Sequence, residues 1–131
     1  MKKYSVVSLL VFAAVMFWAV SCIIPEPASA DIVFELVNNS GRTFREIWVG
    51  PSSNSKWLNR DKFVNRNGSP TRLASGRSLT LWPNMSGRED VRFWDIKVYT
   101  NDGKKHEWHD IDLIKYYQVE IDRRYTAHFS R

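Results

Sequence analysis

The chain reads as an all-β protein, an antiparallel β-sandwich of about seven short strands. Three observations predict it. Short stretches alternate apolar and polar residues with period two, the signature of a half-buried strand. These stretches are rich in β-branched and aromatic residues. Clusters of Asn, Asp, Gly, Ser and Pro separate them at short intervals, as in sandwiches and barrels.

Taken in order, Asp31–Val37 alternates, with Ile32, Phe34 and Leu36 on one face. Asn38-Asn39-Ser40-Gly41 is a turn, because Asn and Gly tolerate positive φ. Thr43–Val49 is a second strand, closed by Gly50-Pro51-Ser52. Arg77–Trp82 places Leu79 and Leu81 inward and stops at Pro83. Val91–Thr100 places Trp94, Ile96 and Val98 on one face. Asn101-Asp102-Gly103 is a hairpin signal, and Lys105–His109 returns the chain. Tyr117, Val119 and Ile121 alternate again, as do Tyr125, Ala127 and Phe129.

Ser53–Arg72 breaks the pattern. It is polar, and Trp57, Arg60/Asp61 and Phe63/Val64 have roughly helical spacing, which predicts a short helical or irregular insertion near residues 53–72. Long irregular connections in compact domains often carry function. The alternative is a plain crossover between sheets, with Trp57 capping the edge of the core.

The first thirty residues read as an address. Met1-Lys2-Lys3 is basic, Val6–Val20 is apolar, Pro25 breaks any helix, and Ala28-Ser29-Ala30 is a small-x-small cleavage site. A secretory signal over 1–30 would leave Asp31–Arg131 as a single domain, periplasmic or secreted. Two alternatives stay open. Ala19-Val20-Ser21-Cys22 resembles a lipoprotein box with Cys22 as the lipidated residue, and an uncleaved leader is long enough to anchor the chain. A membrane partner is expected only in those two cases.

The composition excludes several classes. Of 131 residues, 14% are aromatic, which is too many for a disordered chain, and the single Cys excludes an internal disulfide framework or a Cys-cluster zinc site. The net charge of +5 is spread thinly over scattered Arg and Lys, without the basic stripe of a nucleic-acid binder.

Catalytic constellations are sparse. Ser52, Ser53 and Ser55 lie in a turn-rich stretch, His106, His109 and His128 are the histidines, and no Gly-x-Ser-x-Gly elbow is present. His106-Glu107-Trp108-His109-Asp110-Ile111-Asp112 is the best metal candidate. On a strand, period two puts His106, Trp108, Asp110 and Asp112 on one face, and Glu107 and His109 on the other. That split is poor for a closed site, so His106, Asp110 and Asp112 are weak metal candidates and no cofactor is indicated. Asp95 shares a face with Phe93 and Lys97, where it can pair with Lys97 or with a base on the next strand. It has no obvious second carboxylate for glycosidase chemistry. The aromatic residues say more. Trp94 falls on the inward register, whereas Trp82 and Trp108 fall off theirs. An exposed indole can stack on a sugar, a peptide or a lipid interface.

Phe34-Glu35-Leu36-Val37-Asn38-Asn39-Ser40-Gly41, Ile47-Trp48-Val49-Gly50-Pro51-Ser52-Ser53 with Trp57, and Trp94-Asp95-Ile96-Lys97-Val98 with Asp102-Gly103 follow one another in that order. In this the chain resembles a group of small exported bacterial proteins. That group has an Asn-Asn-[Ser/Thr]-Gly start, a Ser/Gly-Pro-Ser…Trp loop and a Trp/Tyr-Asp-Ile-[Arg/Lys]…Asp-Gly hairpin. The resemblance spans roughly residues 32–115. It implies an all-β fold and export, and brings no activity with it. Two departures matter. Relatives follow the loop Trp with Gly and acidic residues, where this chain has Leu58-Asn59-Arg60-Asp61. Relatives also carry cysteines near the positions of Arg92 and Ile114, so a stapling disulfide of that kind is absent.

The expectation is therefore a non-catalytic exported module that binds a cell-envelope component (a glycan, a lipid headgroup or a protein) and no nucleic acid. Trp57, Arg60, Lys62, Trp82 and Trp108 are the candidate ligand-binding residues. A structural or assembly protein acting through a sheet edge is the alternative, and a small metal-binding protein or hydrolase is the third reading.

Overall fold

A computed structural model of the protein describes residues 32–54 and 56–131. The leader reading, including the Ala30 cleavage site and Cys22, lies outside them. Seven strands follow in chain order: β1 (Phe34–Asn38), β2 (Phe44–Pro51), β3 (Arg77–Leu81), β4 (Phe93–Thr100), β5 (Lys105–Asp112), β6 (Gln118–Ile121) and β7 (Ala127–Ser130). They form a four-stranded sheet in the order β3-β1-β6-β7 and a three-stranded sheet in the order β2-β4-β5. The sandwich expected from the alternation is present. One pairing departs from a purely antiparallel plan, since β1 and β6 run parallel, with Leu36 opposite Val119.

The period-two pattern decides what is buried. Phe34 and Leu36 of β1, Leu81 of β3, and Val119 and Ile121 of β6 face Ile47 and Val49 of β2, Trp94, Ile96 and Val98 of β4, and Ile111 of β5 in one core. Each fully buried side chain of this size is worth about 1.5–3 kcal/mol over leaving it exposed. Trp94 is the largest of them. Its indole N–H donates to the carbonyl of Val91 at 3.3 Å, so the buried polar atom is satisfied.

The Asn38–Gly41 turn is a corner between the sheets. Buried Asn38 donates through Nδ2 to the carbonyls of Arg42 (2.7 Å) and Leu73 (2.9 Å). Its Oδ1 accepts from the Ser40 N–H (3.0 Å) and hydroxyl (2.7 Å). A buried amide with every group used rigidifies the place it holds.

The insertion is a short helical turn followed by irregular chain, within what its spacing predicts. Among the described residues, Asn59–Asp61 forms a single 3-10 turn. Beyond it the chain lies along β2, with Phe63 N–H donating to the Ile47 carbonyl at 2.9 Å. An isolated bridge also joins Trp48 to Lys62, so this stretch covers part of an edge that would otherwise invite pairing. The insertion is held by a buried ion pair. Asp61 is 1% exposed and meets Arg88 Nη1 at 2.6 Å. Its other oxygen accepts from the Leu58 N–H at 2.9 Å.

Gly50 lets Asp61 sit this low. A Cβ there would lie 2.9 Å from Asp61 Oδ2 and 3.3 Å from Trp57 Cζ3. Gly50→Ala should therefore cost about 1–3 kcal/mol, read as a lower urea midpoint. An unchanged midpoint would mean that the insertion can lift without loss. Arg88→Ala leaves the Asp61 charge buried and alone, and should cost about 3–5 kcal/mol. The double variant Asp61→Leu/Arg88→Met should recover most of that in the same assay.

Candidate functional site

The outer face of the three-stranded sheet carries the polar residues that alternate with the core. Trp48 lies opposite Lys97, Lys97 opposite Glu107, and Gly50 opposite Asp95. The insertion brings Trp57 over this face. Its ring meets Trp48 edge-on at 6.4 Å and 73°. Lys97 Nζ sits between the rings, 4.2 Å from the Trp48 centroid, 4.7 Å from Trp57 and 5.6 Å from Tyr99. An ammonium held by ring faces in this way is attracted by their quadrupoles. Burial pushes the Lys97 pKa below the ordinary lysine value, against the pull of Glu107, Glu46 and Asp61.

Beside this box the sheet is bulged. Trp94 pairs with Ile111 but Ile96 pairs with Trp108, so His109 and Asp110 together oppose Asp95. A bulge re-aims side chains and sharpens local twist. Asp110 takes φ +57°, an uncommon backbone state for a residue other than glycine. Asp95 holds the bulge in place. It accepts from the Ser52 hydroxyl (2.6 Å) and from the Asp110 N–H (3.0 Å), and it pairs with His109 Nδ1 at 2.9 Å. Partial burial opposes its ionisation, but the bonds from Ser52, His109 and Asp110 outweigh that and lower its pKa. The same contact with Asp95 raises the pKa of His109. His109 Nε2 lies 3.4 Å from Glu107 Oε2, too long for a strong hydrogen bond.

Trp57, Asp61, Asp95, Glu107 and His109 line a cleft of about 220 Å³, with Gly50 and Pro51 beside them. It combines a flat aromatic wall, a carboxylate acceptor in Glu107 and an imidazole whose Nε2 is only weakly engaged. Those groups suit a small polar ligand with an apolar face. The Ser–Asp–His contacts are not in the order that activates a nucleophile. Ser52 donates to Asp95 and not to the imidazole, and His109 also turns Nδ1 to that carboxylate. A shallower hollow on the far side of Ser52 and Asp110 is lined by Asp90, Val91 and Phe93.

The residues singled out from sequence fall in different places. Trp57 is in the cleft wall. Lys62 stands one step away, bridging Glu46 at 3.2 Å with its ammonium 5.6 Å from the Trp48 ring. Arg60 points elsewhere and donates to the Ser86 carbonyl. Trp82 is exposed, on the other sheet. Trp108 differs from its expected register. It packs against the core and donates Nε1–H to the Tyr125 carbonyl at 2.8 Å.

The face shared by His106, Asp110 and Asp112 is also corrected, because the bulge inserts a residue and breaks the period of two. His106 stacks on Tyr125 at 3.7 Å, Asp110 turns to the shallow hollow, and Asp112 pairs with Arg92 at 2.8 Å. Among the described residues no group of three His, Cys, Asp or Glu side chains is placed to hold a metal ion. Sequence reasoning passed over Glu107 and His109 as members of a site with Asp95. The available signal was that Asp95 needed a cross-strand base.

No protein-family model matches the chain, and no curated protein matches it significantly. Among solved structures it is similar to an NMR structure of a protein from Eubacterium rectale. The TM-score is 0.45 and the identity 14%, over 81% of this chain and 92% of that one.

The two histidines on β5 should titrate in opposite directions. Burial against Tyr125 lowers the pKa of His106, while Asp95 raises that of His109. The stabilisation from His109 is complete below the ordinary value of about 6.5 and fades as pH rises through its raised value. For His106 the unfolded chain takes the proton first, so stability falls as pH drops below about 6.5. NMR titration should place His109 above that value and His106 below it. Asp95→Asn should return His109 toward 6.5 and leave His106 unmoved.

Proposed function

We propose that the protein is an exported, non-catalytic binding module of the bacterial cell envelope, and that its ligand is a hydroxyl-bearing group, of the kind found in envelope glycans, seated in the cleft under Trp57. The observation that carries this is the bulge at His109–Asp110. Strain at Asp110 is tolerated so that Asp95 can set His109 beside Glu107 and Trp57, and backbone strain clusters at binding and active sites. An indole face can stack on a sugar ring, while Glu107 accepts and His109 Nε2 donates to hydroxyls. The basic, apolar and small-x-small order of the first thirty residues supports export.

Asp31–Arg131 forms one compact unit that contains the entire core described above, so it can be tested by itself. A thermal-shift screen against soluble envelope oligosaccharides should reveal a ligand. At a hundred times its Kd a ligand adds about 2.7 kcal/mol, a rise on the order of 10 °C for a domain of this size. The shift should vanish in Trp57→Ala and in Glu107→Gln and persist in Trp82→Ala. Shifts that survive Glu107→Gln would place the site elsewhere. No shift with any oligosaccharide would overturn the glycan reading.

A further inference from the structure

The turn joining β6 to β7 reaches across to the other sheet and lies on β5. His106 is on the inner face of β5, opposite buried Val98. Tyr125 of the turn stacks on its imidazole, with ring centroids 3.7 Å apart and planes 4° apart. Trp108, the next inward residue of β5, donates its indole N–H to the Tyr125 carbonyl at 2.8 Å. Tyr125 makes these contacts at φ +60°, a backbone state out of place for a bulky residue. Asp122 braces the turn. Its Oδ1 accepts from the N–H groups of Arg124 (2.8 Å) and Thr126 (3.0 Å), and its Oδ2 meets His128 Nε2 at 2.8 Å. Within the stack, His106 Nε2 is buried without a hydrogen-bond partner among the described residues.

We infer that this turn is a proton-operated latch between the two sheets, closed over neutral His106 and released when His106 takes up a proton. A bare ring nitrogen tolerates an apolar cover. An N–H at the same place is a buried donor with no acceptor, on a ring that now carries charge, and burial penalises both. The strain at Tyr125 works in the same direction, because the stack and the indole hydrogen bond are what offset it. The charges around His106 supply no acceptor. From the β4–β5 turn Asp102 attracts the charged ring and Lys104 repels it, and Arg123 and Arg124 of the β6–β7 turn are exposed. Burial outweighs the pull of Asp102 and lowers the pKa of His106. Protonation of His128 instead tightens its pair with Asp122, and so opposes release. In the released turn His106 has its ordinary value of about 6.5. The closed form is favoured above that pH. Below it each pH unit shifts the balance toward release by up to about tenfold, until His106 takes the proton in place. The stack is on the inner face of β5 and the Trp57 cleft on the outer face, so the latch does not rest on the binding reading.

The test is hydrogen exchange of the Trp108 indole N–H in Asp31–Arg131, read by NMR and corrected for the intrinsic rate. Exchange reports local opening of this kind. Protection should fall several-fold between pH 7.5 and 5.5, and by no more than about tenfold per pH unit. The Val98 amide, in the central strand of its sheet, should keep its protection over the same range. His106→Phe preserves the stack and cannot take a proton, so Trp108 protection should not change with pH in that variant. His128→Gln should release as the parent chain does. Protection of Trp108 that stays flat with pH in the parent chain would overturn the inference. So would an equal loss in His106→Phe, or a loss that His128→Gln abolishes. Trp108 and Val98 losing protection together would also overturn it, because the event would then be unfolding of the whole domain.

Discussion

The buried ion pair between Asp61 and Arg88 holds two irregular segments of the molecule together. Both side chains are almost fully out of water. Arg88 also donates to the Asn84 carbonyl and lies over the Trp94 ring, with its charge centre 6.0 Å from the ring centroid. Its Nε and Nη2 have no hydrogen-bond partner among the described residues. A pair of this kind gains little net stability over an apolar replacement, because desolvation offsets the attraction. What it supplies is placement. It ties the insertion to the loop between β3 and β4, and so fixes Trp57 above a sheet it would otherwise only pass near.

Asp95 acts in the same way on the other side of the cleft. One carboxylate receives a hydroxyl, a backbone N–H and an imidazole. It thereby stabilises a bulge whose backbone is unfavourable by itself, and it sets the orientation of His109. The two acids divide the work. Asp61 positions the aromatic wall and Asp95 positions the polar groups facing it. Gly50 lies between them, because any side chain there would occupy the space Asp61 needs.

The strands were legible because burial and exposure alternate along them, and the core is the sum of those alternations. Ile32, Phe34 and Leu36, and Trp94, Ile96 and Val98, are buried as their spacing requires. What period two cannot show is where it breaks. A single extra residue at His109–Asp110 reverses the facing of everything after it, and so the sequence reading put Asp110 and Asp112 with His106. Trp108 falls off the inward register by sequence, whereas it packs against the core and donates to the Tyr125 carbonyl. The insertion has only a rough helical spacing, which does not say where it packs. Its position depends on an arginine far along the chain, a relation that spacing cannot express. The parallel pairing of β1 with β6 is hidden for the same reason.

That parallel pairing sets an order of assembly. The strand at the heart of the four-stranded sheet, β1, is the first to be made, and its neighbour β6 is close to the last. Loop closure over so long a separation is slow, and contacts of this type lengthen folding times. The β4–β5 hairpin is local and can form early, but the larger sheet cannot close before the C-terminal strands exist. Until then Phe34 and Leu36 have no lid on one side. A chain so ordered cannot complete its larger sheet until its synthesis is nearly finished, whereas the three-stranded sheet has all its strands by Asp112.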